Sequence, residues 1–434
     1  MKKRIVALLL GMAMVVSLLA ACSGGSSEEE TTAANEQTSA AEEESTEDGV
    51  ESKGTVKVGH LLDITGTEAI TGAVAQKAFG FAVKYLEKTT GWTVEVVEGD
   101  CQSNSDKAAT MAESMLSQGC VAIFGPTQIG HKKAVASYLA DNGVPLILYN
   151  GTPVFFTTLS EWVIAEGGGT SPFPTVMADY IYNDLGIRNV YCFKQDTVGG
   201  NNYVDPFVTC FTAMGGTVVD GAATPVPQGT SDWSSYLTSM KNSGAEAIVG
   251  WTSSSDALAF YKEWYSSGAY ETMPIFATMH GGFTDSYVMD ELDEDIVAAL
   301  IEDGLCAPIN YAYSIDNEAN KLLAEEWEAE FGEVPLGNNL PGAVYQALQL
   351  FLTALDSTNG DTDPTALRDA ILATEIDGPE GHLSFPADST IGTKDVYVVN
   401  TVELDDGTYN YEVQKTYEQV PYLGYNYDGS AYTG

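Results

Sequence analysis

From residue 55 to residue 152 the chain alternates short apolar runs with polar loops and longer stretches of helical period. The apolar runs are residues 55–63, 92–100, 121–124 and 144–149. Strand-length runs separated by helical patterns predict parallel strands with helical crossovers. Parallel sheets of this kind take ligands in the crevice at the carboxyl ends of their strands. The loops at those ends begin Ile64-Thr65-Gly66, Gly125-Pro126-Thr127-Gln128 and Asn150-Gly151-Thr152. They are small and polar, so hydroxyls and free backbone amides converge on one sheet edge.

The pattern then repeats. Residues 161–174 read as a crossover rich in Gly and Pro. Helical spacing follows over 173–183, 206–214 and 232–243, and strand-like runs over 189–193, 217–220, 247–251 and 274–279. Residues 304–308 read as a strand returning toward the first half. Helices are predicted over 317–331, 341–355 and 364–374, the first carrying Leu322, Leu323, Trp327 and Phe331 on one stripe. Residues 396–400 and 409–413 predict a hairpin around Asp405-Asp406-Gly407. The expected class is α/β, with two doubly wound parallel-sheet lobes.

Upstream, Met1-Lys2-Lys3-Arg4 is a basic start, and residues 5–19 are an apolar run shorter than the roughly 20 residues of a spanning helix. Leu19-Ala20-Ala21-Cys22 then looks like a bacterial lipobox, with Cys22 the lipidated residue. Several acyl chains on one cysteine give stable anchoring, where a single chain gives marginal binding. Residues 23–53 are Ser, Thr, Ala, Gly and Glu with almost no large apolar side chain. Such a segment cannot bury enough surface to offset its ordering entropy, and its like charges keep it extended. It reads as a disordered acidic tether holding the globular part off a membrane, on the extracellular face of a Gram-positive envelope.

The remaining roughly 380 residues suit two domains better than one core. With 61 acidic against 19 basic residues the net charge is −42, which excludes a basic nucleic-acid surface. The chain has no phosphate-binding Gly-x-x-x-x-Gly-Lys loop and no Gly-x-Ser-x-Gly elbow. His60, His131, His280 and His382 are scattered, without the spacing of a metal site. Beyond Cys22 there are Cys101, Cys120, Cys192, Cys210 and Cys306, an odd number that leaves at least one free within the chain. Cys101 and Cys120 fall at opposite ends of adjacent strands and are not expected to bridge; Cys192 with Cys210 is an open alternative. No enzyme, cofactor or metal is expected.

Taken together, Thr65-Gly66, Gly125-Pro126, Gly143-Val144-Pro145-Leu146-Ile147 with Gly151-Thr152, and Leu185-Gly186-Ile187-Arg188-Asn189-Val190 resemble, in order and spacing, the solute-binding proteins of ABC importers. The resemblance is to the branched-chain amino acid (Leu/Ile/Val) group with the type I periplasmic binding protein fold. It implies three crossings between lobes, hence a three-stranded hinge. The implied division is residues 54–165 with 308–390 for one lobe and 166–307 with 391–434 for the other. It also implies a monomer that closes on a small polar solute and delivers it to an ABC permease. The ligand residues it points to are Thr71, Thr127, Gln128, Asn150, Gly151 and Thr152 from the first lobe. From the second they are Asp196, Thr197, Val198 and His280.

Three positions depart from the family pattern. His280 stands where members that hold an α-amino group carry a carboxylate. Val198-Gly199 replaces an aromatic-Gly pair, and Thr71 an aromatic wall. An amino-acid ligand would then need its charge partner from Glu68, Glu166, Asp196 or Asp256, while Trp251 offers a new wall. Asp256 and Trp251 also have plain readings, as a helix N-cap and a core side chain. The rival functions are a ligand sensor built on the same lobes, a surface hydrolase and a structural wall protein.

Overall fold

The computed structural model describes residues 50–424 apart from Thr67, Val154, Thr157, Thr158, Gly282, Phe283, Asp285, Asp303, residues 336–339, Asp388 and Leu423. The apolar leader, Cys22 and the tether up to residue 49 lie outside the described residues. So do residues 425–434.

Val56, Val58, Leu61 and Leu62 make β1 (Gly54–Leu62) buried on both faces, as an interior strand of a parallel sheet requires. The chain continues through α1 (Ala69–Thr90), β2 (Trp92–Asp100), α2 (Ser105–Ser117), β3 (Ile123–Phe124), α3 (Ile129–Asn142), β4 (Leu146–Leu148) and β5 (Val163–Ala165). The five strands form one sheet in the order β2-β1-β3-β4-β5, with every pairing parallel. β5 lies inside the stretch expected to be a plain crossover. Its three residues are too few for a period to register.

The second half runs α4 (Pro172–Asp179), β6 (Asn189–Gln195), α5 (Val198–Ala213), β7 (Thr217–Val218), β8 (Thr224–Val226), α6 (Ser234–Asn242), β9 (Ala247–Trp251), α7 (Ser254–Ser266), β10 (Ile275–Ala277), α8 (Ser286–Asp290), α9 (Glu294–Glu302) and β11 (Cys306–Ile309). Three helices follow, α10 (Glu318–Phe331), α11 (Leu340–Ser357) and α12 (Pro364–Ala373). The last strands are β12 (Ile376–Gly378), β13 (Gly381–Leu383), β14 (Lys394–Glu403) and β15 (Tyr409–Val420). The second sheet has the order β15-β14-β11-β10-β9-β6-β7, with β8 also on β6. β14 and β15 are its antiparallel members.

Alternation along β6 explains how this sheet is covered. Tyr191 and Phe193 face α6 and α7 in one core, and Val190 and Cys192 face α4 and α5 in another. The first sheet is sandwiched likewise, between α1 with α11 on one face and α2 with α3 on the other. After β11 the chain returns to the first sheet's side, where Tyr311, Ala312 and Ile315 join the α1–α11 core. Ala165 and Ile391 form a parallel bridge where two crossovers run side by side.

Several expectations need correction. The helix expected at 206–214 begins at Val198 and carries Pro206 inside it. The strand expected at 304–308 is β11, shifted to Cys306–Ile309; it lies inside the second sheet between β10 and β14, and the return to the first sheet's side follows it. The terminal hairpin is longer on both arms than the expected 396–400 and 409–413. Cys101, Cys120, Cys192 and Cys306 are free, buried thiols, so the Cys192–Cys210 alternative is not realised.

Candidate functional site

At the carboxyl end of the first sheet the loops are tied by short polar contacts. Asp100 accepts from Ile64 N (3.0 Å), Gln102 N (2.9 Å) and Thr65 Oγ1 (2.7 Å), which joins the loops after β1 and β2. Burial works to raise its pKa, but these hydrogen bonds outweigh it and hold the carboxyl below its ordinary value. Beyond β3, Gly125 has φ 78°, and a Cβ there would lie 2.3 Å from the Leu61 carbonyl oxygen. Only glycine lets the turn pass this close to β1. The cis Gly125–Pro126 peptide then leads to Thr127 and to Gln128, the N-cap of α3.

Gln128 makes no side-chain cap, which leaves the first-turn amides of α3 without one. Asn150 Nδ2 donates to the Thr127 carbonyl at 3.1 Å. Its Oδ1 and the Thr127 hydroxyl are both buried and have no hydrogen-bond partner among the described residues. Thr152 is fully buried. Its hydroxyl donates to the Asn150 carbonyl (3.0 Å) and its N–H to the Gly168 carbonyl (3.0 Å). It shapes the loop from within. Thr71 is half-buried in the first turn of α1, and Gly151 is half-buried.

Lys132, absent from the residues that sequence pointed to, belongs to this edge. Its side chain is fully buried, and Nζ donates to the carbonyls of Asn150 (3.3 Å) and Gly151 (3.2 Å). Burial lowers its pKa to about 7. The doublet Lys132-Lys133 was the available signal, but a lysine in a helix is ordinarily read as solvated.

At the second sheet, β6 ends at Gln195, whose Nε2 donates to Ser253 Oγ (2.9 Å) and Asp256 Oδ2 (2.8 Å). Gly229 N also donates to Asp256 Oδ2, at 2.9 Å. Asp256 thus pins three segments together; the N-cap of α7 is Ser253. Thr197 caps α5, accepting from Gly200 N at 3.1 Å. Asp196 is exposed, and Val198 is 68% exposed. Trp251 donates its indole N–H to the Gly281 carbonyl and packs edge-on against Tyr203 at 4.9 Å.

His280, at the end of β10, is buried. Burial lowers its pKa to about 4, against a hydrogen bond to the Pro308 carbonyl that works the other way. The imidazole is therefore neutral at pH 7, and Nδ1 has no partner among the described residues. Such a nitrogen accepts a hydrogen bond and cannot serve as a cation. Thr278, two residues back and fully buried, also has an unpartnered hydroxyl. Phe173 links the two edges. Its ring lies 6.5 Å from that of His280, and a Cβ on Gly151 would meet it at 3.6 Å.

Of the carboxylates considered as charge partners, two are committed elsewhere. Asp256 is held as described. Glu166 is fully buried and accepts from Lys394 Nζ at 2.8 Å, and Lys394 also contacts the buried Glu380. Burial raises the pKa of Glu166 and lowers that of Lys394. Glu68, half-buried at the N-cap of α1 without a side-chain cap bond, and the exposed Asp196 remain.

The family model described as "Periplasmic binding protein" matches residues 55–408. A Leu/Ile/Val-binding protein homolog from Brucella suis is 26% identical over 371 residues, 84% of this chain and 92% of its own. A solute-binding protein of an ABC transporter from Rhodopseudomonas palustris, solved with p-hydroxybenzoic acid, superposes with a TM-score of 0.73 at 23% identity. That match covers 85% of this chain and 98% of the other. A leucine-binding protein from Thermotoga maritima superposes with a TM-score of 0.68 at 22% identity, covering 84% and 99%.

Proposed function

We propose that this chain, which belongs to the periplasmic binding protein family with the type I fold of the branched-chain amino acid ABC-transporter group, captures a small carboxylate between its two sheet edges. The family comprises solute-binding proteins of ABC transporters rather than enzymes. In this reading the chain is anchored through Cys22 on the extracellular face, closes about its crossovers on the solute, and hands it to a permease. The ligand sites are Thr71, Thr127, Gln128, Asn150 and Gly151, with Asp196, Thr197, Val198 and His280 across the cleft. Thr152 acts by holding the Asn150 loop in place.

The observation that carries the reading is the set of buried, unpartnered polar atoms at both edges: Thr127 Oγ1 and Asn150 Oδ1 on one side, Thr278 Oγ1 and His280 Nδ1 on the other. Buried polar atoms are ordinarily satisfied, so a cluster of exceptions suits a ligand. The uncapped start of α3 and the Thr127 hydroxyl suit a carboxylate. Asn150 Oδ1 and His280 Nδ1 suit a donor at the far end of the solute, such as a hydroxyl or an amine. An amine would draw its counter-charge from Glu68 or Asp196. The leucine of the Thermotoga protein and the p-hydroxybenzoate of the Rhodopseudomonas protein are both carboxylates with such a donor.

A thermal-shift screen of the chain from Lys53 onward tests this, with branched-chain amino acids, hydroxybenzoates, aliphatic carboxylates, nucleosides and sugars. A ligand at a hundred times its Kd adds about 2.7 kcal/mol, a shift of a few degrees. A carboxylate that shifts wild type but not Thr127→Val supports the reading. A screen in which only uncharged sugars or nucleosides act, or nothing acts after unfolding and refolding to strip carried-over solute, overturns it.

A further inference from the structure

The four histidines and the cysteines are scattered in sequence, yet the fold gathers one of each beside an aspartate. Asp63 follows β1, Cys101 follows β2, and His131 sits in the first turn of α3. One donor atom from each lies within 4.8 Å of the others, and the three residues are buried. Asp63 and Cys101 are fully buried, and His131 is 3% exposed.

Asp63 uses one carboxylate oxygen internally, Oδ1 accepting from Ser103 N at 2.6 Å. Its Oδ2 faces His131 Nδ1 at 3.5 Å, and neither atom has a hydrogen-bond partner among the described residues. Cys101 is fixed by its backbone, which donates to the Leu62 carbonyl at 2.8 Å. Two anionic donors would balance a divalent ion, so a filled site adds no net buried charge. The neighbouring Lys132 does not supply that balance, because its ammonium is turned to the Asn150 and Gly151 carbonyls.

We propose that Asp63, Cys101 and His131 form a site for a borderline divalent metal ion, Zn²⁺ by donor set. One sulfur, one imidazole nitrogen and one carboxylate oxygen are ligands this ion accepts, and three protein donors leave a fourth position for water. Binding converts the thiol to a thiolate: the Cys101 S–H proton goes to solvent as the sulfur–metal bond forms. In the metal-free chain that thiol is held protonated, burial first and then Asp63 and Asp100 pushing its pKa up to about 12. Uptake should therefore release a proton and weaken as pH falls. A filled site would clasp the ends of β1 and β2 to the start of α3.

The test needs no solute, so it is independent of the capture reading. The intact chain is stripped with a chelator and titrated with Co²⁺ as a spectroscopic stand-in. The expected result is a thiolate-to-cobalt charge-transfer band that saturates at one equivalent and is abolished by one equivalent of Zn²⁺. Cys101→Ser should lose the band and Cys120→Ser, a buried cysteine outside the cluster, should keep it. Zinc-edge X-ray absorption on the loaded wild type removes dependence on any variant's folding. It should show one sulfur at about 2.3 Å with nitrogen and oxygen at about 2.0–2.2 Å. No charge-transfer band, a band retained in Cys101→Ser, or a zinc shell without sulfur overturns the proposal.

Discussion

A histidine at the end of β10 that stays neutral makes stability depend on acid. His280 has a folded pKa of about 4 against 6.5 unfolded. Its contribution is complete above pH 6.5 and is lost as pH falls toward 4, by about 3 kcal/mol in all. His60, stacked on Phe79 at 4.1 Å and lowered to about 3, acts in the same direction. Urea unfolding of His280→Gln between pH 7 and pH 4 should show a shallower loss than wild type. Lys132 acts in the same direction at higher pH. Its pKa is about 7 folded and 10.5 unfolded, so the stability of wild type relative to Lys132→Met should rise by about 1.4 kcal/mol per pH unit from pH 7 to 10.5. A flat difference would mean the amine is charged where it sits. Thr127, Asn150 and His280 were readable in sequence as loop-end positions. What the chain could not disclose is which of their atoms have partners. Thr127 and Thr152 are both threonines at strand ends, yet one hydroxyl is spent inside the loop and the other is not. Lys132 and the Asp63–Cys101–His131 group depend on contacts across tens of residues, which no local spacing encodes.

Glycines mark where elements meet backbone to backbone. Gly72, in the first turn of α1, would place a Cβ 1.9 Å from the Asp63 carbonyl oxygen. Gly80, one face away on the same helix, has nothing within 4 Å. Gly72→Ala should destabilise by about 1–3 kcal/mol through overpacking. Gly80→Ala should stabilise by about 0.5–1 kcal/mol through helix propensity. Chemical denaturation of the pair distinguishes packing from propensity, and equal effects would contradict the contact. Long, strongly periodic elements such as α10 and α11 were legible to within a few residues. β5, β12 and β13, three residues each, were not, because a period needs several repeats to register. The start of α5 was missed for another reason: Pro206 suggested a first turn, while tertiary packing of Val204 and Phe207 carries the helix through it.

Across the whole molecule, the crossovers are joined by a buried charge group. Glu166 precedes the passage into α4, Lys394 opens β14, and Glu380 sits between β12 and β13. Burial raises the pKa of Glu166 against the opposing pull of Lys394. Lys394→Met should cost about 3–5 kcal/mol, because it strands buried acids. Adding Glu166→Gln and Glu380→Gln should recover much of that loss in thermal unfolding, and no recovery would assign the cost to packing. The two-sheet plan was visible in the repeated pattern, but this group was not, since its members are 228 and 14 residues apart. The position where the chain enters β1 has a mechanical consequence. β1 begins at Gly54 on the edge away from the ligand loops, and its nine residues span about 30 Å of sheet. Lys53 is hydrogen-bonded to Gly91 and ion-paired with Asp356 at that far edge. A pull applied from the N-terminal side would load β1 lengthwise, in shear against the whole nine-pair ladder with β2. The bonds would have to fail together rather than unzip singly, so tension from upstream would be borne by the sheet before it reached Thr127 or Asn150.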